Sequence, residues 1–230
     1  VLVVSENAEK VLREEIGKHW RLKESSIEKP SLYLGGRYRE VVLANGQTCW
    51  AFGASQYVQS AVKNVETWLS KSGRKLPSRA EAPFKNGYRP EIDVSRELVG
   101  EEASYYQSLI GILRWIVELC RVDISLEISL MSSHLALPRE GHLETLFHIF
   151  AYLKKYHNAE MILDPTTPEI DSSLFQKQDW TFSSLSDEEM KEVLPSDMPE
   201  ARGRGFVIRC YVDADHAGDE VTRRSRTGFV

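Results

Sequence analysis

Three amphipathic stretches between residues 101 and 153 place the strongest constraint on how this chain can fold. The first begins near Glu101, and the second begins near Asp123, whose carboxylate suits the positive end of a helix. Pro138 and Gly141 separate the second stretch from the third. Apolar residues recur at helical spacing in each stretch and the connections are short, so the sequence predicts a small three-helix bundle. The apolar positions are Tyr106, Leu109, Ile110, Leu113, Ile116 and Val117, then Ile124, Ile128, Met131 and Leu135, then Leu143, Leu146, Phe147, Phe150 and Leu153.

Short β-type runs dominate the first 54 residues. A strand is expected at Val1–Val4, and further strands at 32–34, 39–43 and 48–52. The dipeptide Asn45-Gly46 is the strongest short-range signal for a hairpin. These runs predict a small antiparallel sheet. A helix is expected before it, with Val11, Leu12 and Ile16 on one face.

Two connecting regions flank the three-helix block. On its N-terminal side, the run from Tyr57 to Leu69 predicts another helix, followed by a loop over residues 70–90. On its C-terminal side, residues 164–200 contain 10 acidic residues and only two lysines, which is typical of a solvated linker. A β-type run from Phe206 to Val212 then leads to Asp213.

Charge is spread unevenly, although the net charge of −5 is small. Residues 1–100 carry 16 Lys/Arg and 12 Asp/Glu, residues 101–200 carry 7 and 18, and residues 201–230 carry 6 and 4. Both ends of the chain can therefore approach a phosphate backbone more readily than the middle.

Cysteine spacing and hydropathy exclude several classes of protein. Cys49, Cys120 and Cys210 are widely separated and form no CxxC pattern, which predicts free thiols in a reducing compartment, with neither a disulfide framework nor a zinc site. No apolar run approaches the length of a membrane span, so a membrane is not an expected partner.

Three carboxylates at the end of the last predicted strand suggest a metal site. Asp213, Asp215 and Asp219 offer the oxygen ligands that Mg²⁺ prefers. The same spacing also occurs in ordinary Asp-rich turns, where a carboxylate caps backbone N–H groups. It occurs as well in sugar-nucleotide transferases, although the sequence shows no sugar-nucleotide site. The spacing alone leaves these alternatives open.

A basic cluster follows the carboxylates, at Arg223, Arg224 and Arg226. Such a cluster can contact phosphates. It can equally be a solvated hairpin edge, whose charges discourage edge-to-edge pairing.

Taken together, these segments resemble the Pol polyprotein of Ty1/copia-type LTR retrotransposons. Residues 106–111, Tyr-Gln-Ser-Leu-Ile-Gly, resemble that family's Y-x-S-L-I-G. Residues 121–124 resemble R-P-D-I, with Val122 in place of the proline, and Pro138, His142 and residues 152–154 resemble P…H and Y-L-K. Residues 211–219 and 224–229 are similar to the opening hairpin of the family's ribonuclease H domain.

The resemblance implies an α+β (α/β) fold in five parts. Residues 1–54 would be the end of a reverse transcriptase palm, with the small antiparallel sheet. Residues 55–100 would be a thumb-like helix and basic loop, and residues 101–160 a helical block. Residues 161–205 would be the acidic linker, and residues 206–230 the truncated start of a ribonuclease H-like domain.

The same resemblance implies a set of site residues. Asp213 would be the first carboxylate of the ribonuclease H set and a ligand of Mg²⁺ in the intact enzyme. The segment 33–36 resembles the F-L-G-I turn of the palm's second hairpin, where primer contacts are expected, and residues 56–58 resemble the start of the thumb. The predicted contacts to nucleic acid are Tyr33, Gly35, Gly36, Lys71, Arg74, Lys75, Arg223, Arg224 and Arg226.

The function implied by the resemblance is RNA-directed DNA synthesis with removal of the RNA strand, in the intact polyprotein. The other catalytic carboxylates are absent from the chain. Because two metal ions require several converging carboxylates, we expect this chain alone to be inactive. The expected partners are an RNA–DNA hybrid or template–primer and the remainder of Pol, in a cytoplasmic virus-like particle or in the nucleus. The alternative is a non-catalytic remnant that binds nucleic acid or serves as a scaffold.

Overall fold

The structure is a computed structural model, and it describes residues 7–23, 27–166, 196–198, 212–225 and 227–229. The predicted strand at Val1–Val4, most of the predicted linker, and Cys210 and Arg226 lie outside the described residues. The chain divides into two compact units, Val1–Pro165 and Thr166–Val230.

Residues 8–18 form a series of short helical turns rather than the single amphipathic helix that the sequence predicts. An α-helical turn (Ala8–Lys10) is followed by a π-helical turn (Val11–Glu15) and a 3-10 turn (Ile16–Lys18). None of these residues is fully buried, so the segment lacks the apolar packing that would fix one helical register along it.

The first unit contains a four-stranded antiparallel sheet in the order β1-β2-β3-β4. The predicted hairpin joins β2 to β3. In its turn, the amide of Gly46 donates to the carbonyl of Leu43 at 2.9 Å, and the side chain of Asn45 accepts the amide of Gln47 at 2.9 Å. The strands are β1 (Leu32–Tyr33), β2 (Gly36–Val42), β3 (Thr48–Gly53) and β4 (Glu160–Leu163).

Strand β4 overlaps the segment 161–205, which the sequence predicts as a linker. It pairs with β3, where Glu160 lies opposite Gly53. A Cβ atom on Gly53 would lie 2.7 Å from Cγ of Glu160, so the glycine leaves room for that side chain to cross β3. Glu160 then accepts two hydrogen bonds at 2.9 and 2.6 Å from the guanidinium of Arg39, on β2. This ion pair therefore links β2 to β4 across β3.

Four helices lie between β3 and β4 along the chain: α1 (Ser55–Ser70), α2 (Glu101–Glu118), α3 (Ser125–Ser132) and α4 (Glu140–Lys155). They confirm the predicted helix at 57–69 and the predicted three-helix block. Helix α3 is shorter than predicted, and Leu135 lies beyond its end. The amides of Ser133 and His134 bond to carbonyls three residues back, which tightens the chain and ends the helix.

One apolar core joins the four helices. Val58, Val65 and Leu69 of α1, Leu113 of α2 and Phe150 of α4 are among its side chains, each at most 1% exposed. The predicted core positions Tyr106, Leu109, Ile110, Leu113, Ile116, Ile124, Ile128, Met131, Leu143, Leu146, Phe147, Phe150 and Leu153 are all buried, and Val117 and Leu135 are partly buried against them.

The described part of the second unit contains a two-stranded hairpin. Strand β5 (Val212–Ala214) pairs antiparallel with β6 (Thr227–Phe229), and Asp213 lies opposite Gly228. The described residues of both units therefore form mixed α+β structure. Within them, none of the helices combines the length and the apolar character that crossing a membrane requires.

Candidate nucleic-acid interface

The turn between β1 and β2 contains the predicted contacts Tyr33, Gly35 and Gly36. Leu34 and Gly35 have φ values of +52° and +91°, so the turn occupies the left-handed region at two successive residues. Gly36 is buried, and a Cβ atom there would lie 2.0 Å from the ring of Phe52, which excludes any side chain. The turn leaves Tyr33 41% exposed, with its ring available to a ligand.

This turn packs against the beginning of α1. A Cβ atom on Gly35 would lie 3.5 Å from the ring of Tyr57, in the first turn of α1, and 3.7 Å from the side chain of Leu119. The β1–β2 turn therefore has a fixed position relative to the helix that follows the sheet.

The other predicted contacts of the first unit, Lys71, Arg74 and Lys75, lie at the opposite end of α1. Gly73 has a φ of +68°, and the amides of Gly73 and Arg74 bond to carbonyls three and five residues back, which is the Schellman arrangement. The 16-residue helix separates the two groups by about 22 Å, at 1.5 Å per residue.

The three basic residues differ in their surroundings. Arg74 forms an ion pair with Glu144 of α4, and its guanidinium carbon lies 5.4 Å from the centre of the Phe147 ring. Lys71 and Lys75 are exposed, and neither forms an ion pair within the described part of the chain. The structure thus leaves two lysines available to a phosphate backbone, while Arg74 already neutralises a carboxylate.

The exposed face of α1 runs from the β1–β2 turn to the two lysines, and it was not among the predicted contacts. At 100° per residue, the exposed positions fall within one arc of about 140°. The face carries amides, hydroxyls and lysines but no carboxylate, since Glu66 lies at its margin and pairs with Lys154 at 2.7 Å. Its members are Gln56, Gln59, Ser60, Lys63, Asn64, Thr67, Ser70 and Lys71. The signal that could have revealed it is the lack of acidic residues at this spacing.

The motif residues of the helical block include buried ones, such as Tyr106, Arg121 and His142, and partly exposed ones, such as Asp123 and Tyr152. Arg121 is 1% exposed and makes two hydrogen bonds to the carboxylate of Asp123, at 2.8 and 2.7 Å. Tyr152 donates to the same carboxylate at 2.9 Å, and its ring lies 5.9 Å from the guanidinium carbon. Burial opposes ionisation of Asp123, but the hydrogen bonds and charge of Arg121 outweigh it and hold the pKa of Asp123 below its usual value.

The contacts of these motif residues are structural. The hydroxyl of Tyr106 donates to the carbonyl of Met131 at 2.7 Å, which ties α2 to α3. Both ring nitrogens of His142 are bonded to backbone, one to the amide of Arg139 and the other to the carbonyl of Pro90, each at 3.0 Å. The segment at Val122 forms a 3-10 turn (Val122–Ile124) without the proline of the family pattern.

In the second unit, the three aspartates of the predicted metal site have different surroundings. Asp213 lies on β5 and is exposed. One oxygen of Asp219 accepts the amides of Val221 and Thr222 at 3.0 and 2.6 Å, as in an Asp-rich turn. A Cβ atom on Gly218 would lie 1.9 Å from a carboxylate oxygen of Asp215, so that carboxylate packs directly on the glycine.

Within the described residues, these aspartates are not gathered into one group. No group of three or more His, Cys, Asp or Glu side chains within the described residues could hold a metal ion. Asp213 offers one carboxylate, whereas a two-metal site needs several that converge. Arg223 and Arg224 are exposed in the connection between β5 and β6, and the predicted contact Arg226 lies outside the described residues.

Comparison of the chain with protein-family models, with curated proteins and with solved structures gives no match in any of the three.

Proposed function

We propose that this chain is a piece of a copia-type reverse transcriptase/ribonuclease H and that its first unit binds the template–primer duplex. The observation that carries the proposal is the carboxylate-free face of α1, with the β1–β2 turn at one end and Lys71 and Lys75 at the other. The resemblance to the family motifs suggests that this duplex is an RNA–DNA hybrid or template–primer.

The chemistry of the α1 face suits a phosphate backbone. Lysines supply charge, while Gln, Asn, Ser and Thr side chains supply the neutral hydrogen bonds that position a protein on a duplex without reading its sequence. The distance between the two ends of α1, about 22 Å, is about two thirds of a turn of duplex, since one turn rises about 34 Å. The exposed face is therefore long enough to contact several phosphates of a duplex.

Lys63 tests this proposal most directly, because it lies in the middle of the exposed face and forms no ion pair within the described residues. We expect Lys63→Gln to weaken binding of a fluorescently labelled RNA–DNA hybrid about eightfold at 0.1 M salt, from a salt slope of about 0.9 per phosphate contact. The slope of log affinity against log salt should fall by about one. Fluorescence anisotropy of the whole chain measures both quantities.

Lys18→Gln is the matched control, since it removes the same charge from an exposed lysine outside α1. Binding that is equally weakened by both substitutions would show a diffuse charge effect and would contradict the proposed interface. No binding of the hybrid at 50 mM salt would contradict nucleic-acid binding altogether and would favour the alternative, a scaffold remnant.

We propose further that this chain alone catalyses neither polymerisation nor hybrid cleavage. Asp213 is a single exposed carboxylate, Asp215 packs on Gly218, and Asp219 accepts the amide of Val221. Purified chain should leave a labelled RNA–DNA hybrid intact in the presence of Mg²⁺. Mg²⁺-dependent cleavage that Asp213→Asn abolishes would refute this.

A further inference from the structure

The connection between α1 and α2, residues 71–100, is fastened along α4 by two histidines of that helix. Nε2 of His148 lies 3.1 Å from the carbonyl oxygen of Ala82, and Nε2 of His142 lies 3.0 Å from the carbonyl oxygen of Pro90. Because a carbonyl only accepts hydrogen bonds, Nε2 carries the proton in both rings. The two rings hold the connection at points eight residues apart.

The remaining ring nitrogens of the two histidines differ. Nδ1 of His142 accepts the amide of Arg139 at 3.0 Å. Nδ1 of His148 is buried and has no hydrogen-bond partner among the residues that the structure describes. A proton added to Nδ1 of His148 would therefore be a buried donor without an acceptor, on a charged ring that is 6% exposed.

The charges around His148 do not compensate for such a proton. Lys85, in the connection, is the charged residue that acts on the ring directly, and it repels an imidazolium. Glu144, one turn earlier on α4, is paired with Arg74. Glu81, next to Ala82, accepts hydrogen bonds from Lys155 and Tyr156. Burial and Lys85 together lower the pKa of His148, against the hydrogen bond to Ala82, which raises it.

We propose that His148 is a proton-controlled latch, whose protonation releases residues 80–89 from α4. The released form takes up a proton more readily than the attached form, in which the pKa of His148 is lowered. Well above the ordinary histidine value of 6.5 both forms are neutral and the latch is fully effective. As the pH falls through that value, the released form gains the proton first, so release becomes more favourable. The latch does not depend on what the first unit binds.

Amide hydrogen exchange of the whole chain tests the latch. The amide of Tyr88, which donates to the carbonyl of Lys85, reports on the released segment, and the amide of Leu98, which donates to Pro138, reports on the segment beyond the second histidine. After correction for intrinsic rates, protection at Tyr88 should fall between pH 7.5 and 5.5 by up to about tenfold, the limit for one proton taken up by the released form alone. Protection at Leu98 should stay within about twofold.

Two variants separate the latch from general acid sensitivity. Gln at position 148 can still donate to Ala82 but does not titrate, so His148→Gln should remove the pH dependence at Tyr88. His157→Gln is the control, because that ring bonds to Ser55 and Gln59 instead of the connection, and it should keep the dependence. An unchanged fall in His148→Gln, or no fall in the wild type, would overturn the latch.

A direct titration decides the question if His148→Gln fails to fold. NMR of the wild-type histidines should show the ring of His148 gaining a proton only as protection at Tyr88 falls. Protonation of His148 by pH 5.5 with protection at Tyr88 unchanged would overturn the latch.

Discussion

Helix α4 and the β5–β6 hairpin show two ways in which segments of this chain are ordered. Ten of the 16 residues of α4 are buried, including Leu146, Phe147 and Phe150, each at most 1% exposed. All three residues of β5 are exposed, and the hairpin is held by its backbone ladder and by local contacts such as the amide of Ala217 to Ser225. Within the described residues these two strands pair only with each other, and an isolated two-stranded hairpin is marginal in water.

The comparison shows which described segments of this chain contribute most to its stability. Full burial of a large apolar side chain contributes about 1.5–3 kcal/mol, so the helical block has a large source of stability that the described hairpin residues lack. The exposed α1 face can carry neutral and basic groups because the opposite face of the same helix supplies the packing. Predictions that separate buried from exposed positions therefore test the comparison.

The largest effect is expected at Phe150, which is 0% exposed. Phe150→Ala should lower the free energy of unfolding of the first unit by about 3–5 kcal/mol, since it leaves a cavity in the core. Urea unfolding followed by far-UV circular dichroism measures this. Val212→Ala, at a β5 residue that is 66% exposed, should change the same quantity by less than about 0.5 kcal/mol. Equal losses would refute the contrast between the two regions.

The next effect is expected at the ion pair between the buried guanidinium of Arg121 and the partly exposed carboxylate of Asp123. Asp123→Ala leaves the guanidinium of Arg121 buried without its counter-charge and should cost about 3 kcal/mol. Arg121→Met should cost less, because it removes the buried charge and keeps most of the side-chain volume. The two variants are compared in the same urea titration. A larger loss in Arg121→Met would show that the pair contributes net attraction instead of merely neutralising a buried cation.

The pH dependence of stability tests the Arg121–Asp123 ion pair through a smaller expected effect. The pKa of Asp123 is lowered from 3.8 in the folded chain, so its contribution is present above that value and is lost as the pH falls through the lowered pKa. The stability difference between wild type and Asp123→Asn should therefore narrow below pH 4, about where the free carboxyl becomes protonated. A difference that stays constant from pH 5 to pH 2 would contradict this assignment.

The smallest effect has the opposite sign. Gly111 lies on the exposed side of α2, and a Cβ atom there would meet nothing within 4 Å. Gly111→Ala should raise the free energy of unfolding by up to about 1 kcal/mol, because alanine loses less backbone entropy in a helix. Gly36→Ala is the contrasting variant, since its Cβ would overlap the ring of Phe52, and it should destabilise the unit. Thermal unfolding distinguishes the two signs.

Sequence periodicity predicted the helices well because each has one buried face. The apolar positions of α1, α2 and α4 follow the spacing of one helical face, and the Asn45-Gly46 turn fixed the β2–β3 hairpin. The same approach did not predict the turns at 8–18, where no burial selects a register, or β4, whose four residues are all exposed. Local pattern succeeds where burial repeats along the element itself.

The candidate interface was predicted in part. The resemblance supplied the β1–β2 turn and the lysines beyond α1, and these stay predictions until binding is measured. Their separation by the length of α1 and the pairing of Arg74 with Glu144 depend on how the helices pack, so no local signal contains them. The carboxylate-free face of α1 could have been found from the sequence, by asking which residue types are missing at helical spacing.

The sequence by itself determined the mixed α+β class, the helical core positions and the hairpin turn, because each depends on residues close together along the chain. Only the tertiary structure decided the pairing of β4 with β3, the burial of Arg121 beside Tyr152, and the contacts of His142 and His148 with the α1–α2 connection. These contacts join residues that are distant in sequence. Their polar groups are buried or paired only once the helices and the sheet have packed.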